Sequence, residues 1–395
     1  MQGLIFSCYK AMDIRTILED NEKKCASFDR ANARKVLILF RELNGFIGDL
    51  CRRLGKLRQI KEYFPNAVLD FNFSFPKHQW IYDGLLKNNP YVNKLFSADL
   101  GGFDFGEYDL IIYVDPDEMS LLNKLGQRYE EFGGGDYAPP VFSMTKTVFL
   151  GDGLAHIKFP LYLDLVKFIS NTTGELHVSN EERAWAENWL RDRGISQGDS
   201  VVVVLDTASG KEKLLNTPVY FEFMQSLLRG KRIKVLNFDE RGLGKEEFYR
   251  AWLGDLCDNM IFSKNLSLRE AICLLSASSV KMIFGPCTGL MHCSSAIYNY
   301  YKKRGMREKD IPVMITYTGQ YPGQESASEW WSNSPLIKCI MLKPTENGGS
   351  RLVELSDLPP QDREKNDSLP CSRFTVRHLT DFVRASFEKR SALPR

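Results

Sequence analysis

The chain has 395 residues, of which 43% are hydrophobic and 26% are charged, enough apolar material for a sizeable core and more than one domain. Its 52 basic and 50 acidic residues leave a net charge of +2, which gives no electrostatic reason to expect nucleic acid as a partner. No apolar run approaches the roughly 20 residues that a membrane-spanning helix needs.

The N-terminal half of the sequence alternates between strand and helix patterns. A helical extension is predicted over 1–33, followed by a Rossmann-like domain over 34–180. Inside this domain the continuous apolar run 36–40 is typical of a parallel strand that is covered on both faces. Further strands are predicted at 68–73 and 108–114.

A second series of strands and helices follows over 181–345 and predicts a second Rossmann-like domain. Its strands are predicted at 201–205, 233–238, 280–284 and 312–317. The fold class is therefore α/β, with two doubly wound domains facing each other across a cleft. Ligands of such sheets bind at the carboxyl ends of the strands.

Two stretches fall outside this alternation. Residues 129–153 are rich in glycine and proline and predict a loop. Residues 346–395 are predicted to form an irregular polar segment and then a helix that packs back toward the N-terminal domain.

The stretch most informative about function is 280–298, where the strand 280–284 runs into a glycine-bounded turn and then a helical pattern. Thr288 is the predicted N-cap of that helix. Such a turn directs backbone N–H groups and the positive end of a helix dipole at one place. That place suits an anion such as a pyrophosphate.

This stretch resembles the nucleotide-sugar signature of glycosyltransferase family 9, the ADP-heptose–lipopolysaccharide heptosyltransferases. That family carries a strand, then G-x-D-[ST]-G-x-x-H and a helix of small residues, and Gly285, Thr288, Gly289 and His292 match it. Cys287 stands where the family has an aspartate. The departure affects the usual donor contact at that position.

The resemblance extends over about residues 34–330. It implies a GT-B fold and an inverting, metal-independent transfer of a sugar from a nucleotide-diphosphate donor to a glycan or lipopolysaccharide-type acceptor. The resemblance implies ADP-heptose as the donor. Because the donor is a substrate, no cofactor is predicted.

Asp49 is the predicted catalytic base, because the sequence Gly-Phe-Ile-Gly-Asp that ends at this residue resembles a Gly-Asp motif of the family. An inverting transfer is a single displacement and needs a base on the acceptor side. Gly48, Arg52 and Arg53 are predicted acceptor contacts. From the residues alone, Asp49 is equally a helix cap.

Donor contacts are predicted from two further loops. Lys211 and Lys213 follow the strand 201–205, where the family has a lysine that contacts donor phosphate; we favour Lys213. A cation there stabilises the charge that builds on the leaving pyrophosphate. By the same resemblance Glu325 contacts the donor sugar, and Cys287, Thr288, Gly289 and His292 complete the donor site.

Alternatives remain open at this point. Asp115-Pro-Asp117 follows a predicted strand and is typical of a metal-dependent transferase, although such a motif also suits a tight turn. The loss of the family aspartate at Cys287 favours a non-catalytic nucleotide-sugar-binding protein. His292 is equally a satisfied core histidine, and the lysines are equally solvated loop residues.

The nine scattered cysteines favour free thiols in a reducing compartment over a disulfide framework. Cys287 and Cys293 flank His292, but the chain lacks paired C-x-x-C spacing, so no metal site is predicted. The N-terminal stretch lacks the apolar core of a secretion signal, and we expect a cytoplasmic protein. The basic helix after Asp49 indicates a solvated face, an anionic acceptor site or peripheral contact with the inner membrane surface.

Overall fold

The computed structural model describes residues 14–40, 46–73, 78–97, 104–113, 139–143, 173–239, 242–320, 327, 331 and 334–391. The chain forms two compact units. One comprises Met1–Gly45, Lys56–Tyr82 and Asn89–Thr172, and the other comprises Phe46–Gly55, Asp83–Asn88 and Thr173–Arg395. Each unit contains a mostly parallel sheet, which confirms the predicted α/β class.

The first unit contains a five-stranded parallel sheet in the order β3-β2-β1-β4-β5. Its strands are β1 (Lys35–Phe40), β2 (Val68–Phe73), β3 (Lys94–Phe96), β4 (Leu110–Tyr113) and β5 (Val141–Ser143). The helices in this part of the chain are α1 (Ile14–Ser27), α2 (Ile47–Tyr63) and α3 (Gln79–Leu86). The predicted strands at β1, β2 and β4 are confirmed.

The strand β5 lies inside the stretch that we predicted to be a loop. Val141 pairs in register with Ile111 of β4. The Asn21 side chain of α1 donates to the Val141 carbonyl over 2.9 Å and accepts from its N–H over 2.7 Å. A three-residue strand held in this way needs no long apolar run, so the composition of the stretch does not reveal it.

The second unit contains a seven-stranded sheet in the order β12-β11-β10-β9-β6-β7-β8, with only β12 antiparallel to its neighbour among the described strands. Its strands are β6 (Ser200–Val204), β7 (Ile233–Asp239), β8 (Met260–Lys264), β9 (Val280–Pro286), β10 (Val313–Tyr317), β11 (Ile337–Pro344) and β12 (Ser350–Glu354). Its helices are α4 (Asn180–Arg191), α5 (Thr217–Leu228), α6 (Lys245–Leu253), α7 (Leu268–Leu275), α8 (Gly289–Lys303), α9 (Pro360–Arg363) and α10 (Val376–Ser391).

Three strands of this sheet, β8, β11 and β12, are missing from the prediction. β12 lies in the segment expected to be irregular, because its sequence Ser-Arg-Leu-Val-Glu is polar. It is an edge strand with exposed and half-buried residues, and such a strand needs no apolar run. α10 packs against α5 of the same unit. Its packing back toward the N-terminal domain stays a prediction.

Alternate residues of the central strands form the core of the second unit. Val202, Val204, Met282 and Phe284 are at most 2% exposed and pack with the inner faces of α5 and α10. Burying one such side chain contributes about 1.5–3 kcal/mol. This core fixes the strand ends at which the candidate site lies. No described helix has the length and apolar character to cross a bilayer.

Arg269 of α7 is 8% exposed and makes four hydrogen bonds inside the second unit, which we call the Arg269 network. Its guanidinium donates to both carboxylate oxygens of Glu182 over 2.9 and 2.6 Å. It also donates to the carbonyl of Gly84 over 3.0 Å and to that of His177 over 2.6 Å. Glu182 in turn completes a capping box with Ser179 at the start of α4. One buried cation thus joins three stretches of chain.

The burial of His177 leads us to expect that acid destabilises the fold. Burial, with the nearby charges of Arg269, Arg304 and Lys303, lowers its pKa from 6.5 to about 4. Because the unfolded chain then binds this proton first, the folded state loses stability as the pH falls from about 6.5 toward 4. We expect the urea midpoint to fall over that range, and to fall less in His177→Phe, which keeps a ring beside Tyr300. Equal falls in both proteins would contradict the assignment.

Candidate functional site

The candidate site is built on the carboxyl end of β9. β9 runs through Gly285 to Pro286, and α8 begins at Gly289, with Thr288 as its N-cap as predicted. Thr288 has extended backbone angles, and its hydroxyl makes no capping hydrogen bond. The first turn of a 15-residue helix and this hydroxyl therefore share one end of the sheet.

Three glycines allow close backbone approach around this turn. A Cβ on Gly285 would lie 2.5 Å from the carbonyl oxygen of Leu205, and one on Gly289 would lie 2.7 Å from Cβ of Ile47. A Cβ on Gly48 would lie 2.8 Å from Cδ2 of His292. Each distance is shorter than a carbon atom tolerates, so glycine is required at all three positions. The start of α2 therefore packs directly on the start of α8 within the second unit.

His292 is 4% exposed and lies one turn inside α8. Its ring stacks on the ring of Trp331, with 4.1 Å between centroids and an interplanar angle of 7°. Its Nε2 atom lies 3.9 Å from Sγ of Cys287, which is half-buried. The structure thus places Gly48, which is distant in the sequence, next to His292, and it places Cys287 beside the same side chain.

Asp49 follows Gly48 in the first turn of α2 and is half-buried. A carboxylate at this position interacts favourably with the helix dipole. Arg52 and Arg53 follow in the same helix. The predicted base is therefore the chain neighbour of the glycine that packs on His292.

The predicted donor lysines lie in the 3₁₀ helix Lys211–Lys213, which follows β6. Lys211 is exposed, whereas Lys213 is half-buried and donates to the hydroxyl of Ser209 over 2.9 Å. Burial, with the neighbouring Cys287 thiol next in effect, raises the pKa of Cys371 to about 12, and Lys213 acts on the same thiol in the opposite sense. The 3₁₀ helix Lys211–Lys213 also contacts the segment Cys371–Arg373.

The segment 369–373 forms a floor under this end of the sheet and is absent from the predicted site. A Cβ on Gly319, just after β10, would lie 2.6 Å from both the Cys371 N atom and the Leu369 carbonyl oxygen. The Leu369 N–H donates to the Leu342 carbonyl over 2.7 Å. The Asn216 side chain donates to the Ser372 carbonyl over 2.9 Å. In the sequence this stretch is marked only by Pro370 directly before Cys371, a cysteine that the structure buries.

A second unpredicted feature is Asp206, which comes directly after Leu205 at the end of β6. Its Oδ1 atom accepts from Nζ of Lys245 over 2.7 Å, and its Oδ2 atom accepts from the hydroxyl of Tyr249 over 2.7 Å. The signal available in the sequence was an aspartate at the carboxyl end of a predicted strand.

Two predicted motifs lie outside the described residues, Glu325 and Asp115-Pro-Asp117. Within the described part of the chain, no group of three or more histidine, cysteine, aspartate or glutamate side chains is arranged to hold a metal ion.

No protein-family model and no curated protein matches this sequence. Among solved structures, the chain is similar to the ADP-heptose lipopolysaccharide heptosyltransferase II of E. coli, with 15% identity, a TM-score of 0.57 and coverage of 91% of this chain and 100% of that one. It is also similar to a family 9 glycosyl transferase from Veillonella parvula, with 12% identity, a TM-score of 0.58 and coverage of 91% and 99%. The E. coli heptosyltransferase WaaC, solved with ADP, gives 13% identity, a TM-score of 0.54 and coverage of 89% and 99%. The chain therefore has the GT-B fold of the family 9 glycosyltransferases, as its sequence motif indicated.

Proposed function

We propose that the protein is a glycosyltransferase that moves a sugar from a nucleotide-diphosphate donor to a hydroxyl of a glycan or lipopolysaccharide-type acceptor. The observation that carries the proposal is that the Lys213 loop and the α8 N-terminus follow the carboxyl ends of two neighbouring parallel strands, β6 and β9. Both features favour a diphosphate. The family 9 fold supports the same reaction class, and the motif resemblance makes ADP-heptose the first donor to test.

In this proposal the donor diphosphate binds the backbone N–H of Gly289 and the hydroxyl of Thr288, which makes no capping hydrogen bond. Lys213, in the loop after β6, stabilises the charge that develops on the leaving group. The sugar lies beside Cys287 and His292. A thiol is a weak hydrogen-bonding group, so we propose that Cys287 alters which sugar is preferred.

Asp49 takes the proton from the acceptor hydroxyl as that oxygen attacks the anomeric carbon. The C–O bond to the diphosphate breaks on the opposite face, so the configuration inverts. The charge on the leaving group is balanced by Lys213 and the α8 dipole, and the proposed reaction therefore requires no metal ion. Arg52 and Arg53 of α2 provide cations for a phosphorylated acceptor.

The test is donor binding and donor hydrolysis by the wild-type protein across ADP-, GDP- and UDP-sugars, with and without EDTA. We expect one donor class to bind and to be consumed at the same rate in both conditions. Absence of binding by every donor would contradict the proposal.

The Cys287 departure favours a second candidate, a protein that binds a nucleotide sugar without transferring it. Under that alternative a donor binds, but neither hydrolysis nor transfer to any acceptor preparation occurs. Loss of turnover in EDTA would instead favour a metal-dependent transferase that uses Asp115-Pro-Asp117.

A further inference from the structure

The ion pair of Asp206 and Lys245 lies at the edge of the proposed donor site and has no assigned role. Asp206 is one residue from Leu205, whose carbonyl oxygen would lie 2.5 Å from a Cβ on Gly285. Gly285 opens the turn that leads into α8. Asp206 therefore directly follows the residue whose backbone packs on Gly285, at the turn where the donor diphosphate is proposed to bind.

Both members of the pair are largely withdrawn from solvent. The side chain of Lys245 is 12% exposed and that of Asp206 is 15% exposed. The Lys245 ammonium also donates to the Phe238 carbonyl over 2.5 Å, so two of its three N–H groups have described partners inside the protein. The screening by water that weakens surface ion pairs is reduced here.

Neighbouring groups hold this pair in place. The Tyr249 hydroxyl donates to Asp206 and makes a 2.5 Å hydrogen bond with the Tyr220 hydroxyl. The Asn237 side chain donates to the Tyr249 hydroxyl over 3.3 Å and to the Val204 carbonyl over 3.1 Å. The pair is therefore fixed to the ends of β6 and β7 rather than free to rearrange.

The backbone around Lys245 is fixed separately. The carboxylate of Asp239, at the end of β7, accepts from the N–H of Leu243 over 2.8 Å and from the N–H of Lys245 over 3.3 Å. These bonds set the start of α6, of which Lys245 is the first residue. The Lys245 side chain thus extends from a helix end whose backbone these hydrogen bonds hold in place.

A lone carboxylate beside a diphosphate would oppose binding, because like charges in a partly dry site repel strongly. We propose that Lys245 neutralises Asp206 and thereby allows the carboxyl edge of β6 to accept a nucleoside diphosphate. Lys245 is a positioning and charge-balancing residue in this scheme, and it does not touch the reacting atoms. The inference rests on the proposed function and adds an electrostatic requirement to it.

The experiment compares charged and uncharged probes, ADP, GDP and UDP against adenosine, guanosine and uridine, by calorimetry or NMR titration. Removing only the negative charge, in Asp206→Asn, should tighten diphosphate binding about tenfold and leave nucleoside binding unchanged. Removing only the positive charge, in Lys245→Gln, should weaken diphosphate binding about tenfold or more. Lys245→Arg, which keeps the charge, serves as the matched control and should bind like wild type.

The double variant Asp206→Asn/Lys245→Gln separates this role from two others. If the pair acts through charge balance, the double variant returns to within a few-fold of wild-type diphosphate affinity. A double variant as weak as Lys245→Gln would show that the lysine contacts phosphate directly and would overturn the inference. Equal changes for nucleoside and diphosphate would show a structural role and would also overturn it.

Failure of the inference differs from failure of the proposed function. If wild type binds none of ADP, GDP and UDP, the proposed function falls with it. If wild type binds one of them and all four variants bind it alike, only the role of the pair is rejected. Should Lys245→Gln fail to fold, Asp206→Asn alone still decides, because its predicted effect is a gain in affinity.

Discussion

Sugar transfer is expected to fall by about 10²–10⁴-fold in Asp49→Asn, because an amide cannot accept the proton that a general base removes. Donor affinity should stay within a few-fold of wild type, since the proposed donor contacts lie on α8 and in the Lys213 loop. The measurement is kcat for transfer together with the Kd of the donor, each determined for wild type and variant.

This substitution also separates the two interpretations of Asp49. Asp49 is the third residue of α2 and not its N-cap, so a purely structural role predicts nearly unchanged activity and the loss of only the helix-dipole interaction, about 0.3–1 kcal/mol of stability. Glu181→Gln is a matched control, because Glu181 is likewise an acidic residue in the first turn of a helix. Turnover by Asp49→Asn at the wild-type rate would reduce Asp49 to a structural residue.

The largest effect on stability is expected at the Arg269 network. Arg269→Met removes the guanidinium from the Glu182 carboxylate, whose side chain is only 14% exposed, and leaves the more exposed Lys87, at 3.4 Å, as its described cation. It also leaves the carbonyls of Gly84 and His177 without this donor. Breaking a buried ion pair on one side costs about 3–5 kcal/mol of unfolding free energy, which urea denaturation at pH 7 will measure.

The double variant Arg269→Met/Glu182→Met is the control for this prediction. Replacing both partners removes the stranded charge, so the double variant should recover part of the lost stability. If Arg269→Met lowers the unfolding free energy by less than about 1 kcal/mol, the Arg269–Glu182 ion pair contributes no more than an exposed surface ion pair does.

Acid should weaken the same network. Burial tends to raise the pKa of Glu182, but hydrogen bonds from Arg269 and the Ser179 backbone, with the charges of Arg269 and Lys87, lower it from 4.5 to about 2. Its stabilisation is therefore complete above about pH 4.5 and is lost as the pH falls toward 2. This range lies below that of His177, so the two groups act in succession.

The parts of the fold that could be predicted are those with a local signal. The apolar runs of β1, β6 and β9 are contiguous, and the turn from Gly285 to Gly289 is a short motif in one stretch. Such features depend on neighbours within a few residues, which periodicity and turn chemistry describe. The roles of Asp49 and Lys213 remain predictions.

The features that could not be predicted join distant parts of the chain. Arg269 donates to Gly84 across 185 residues, and Lys245 bonds Asp206 across 39. The floor at 369–373 also depends on packing against Gly319 rather than on any pattern of its own. Contacts between residues so far apart in the chain give no periodic pattern in a single sequence, so they could not be predicted from it.

The position of that floor in the chain has a consequence for biosynthesis. The residues of the proposed donor site, Gly285, Thr288 and Lys213, leave the ribosome well before Leu369 and Cys371 do. A nascent chain can therefore begin to assemble the sheet while the floor at 369–373 is still inside the exit tunnel.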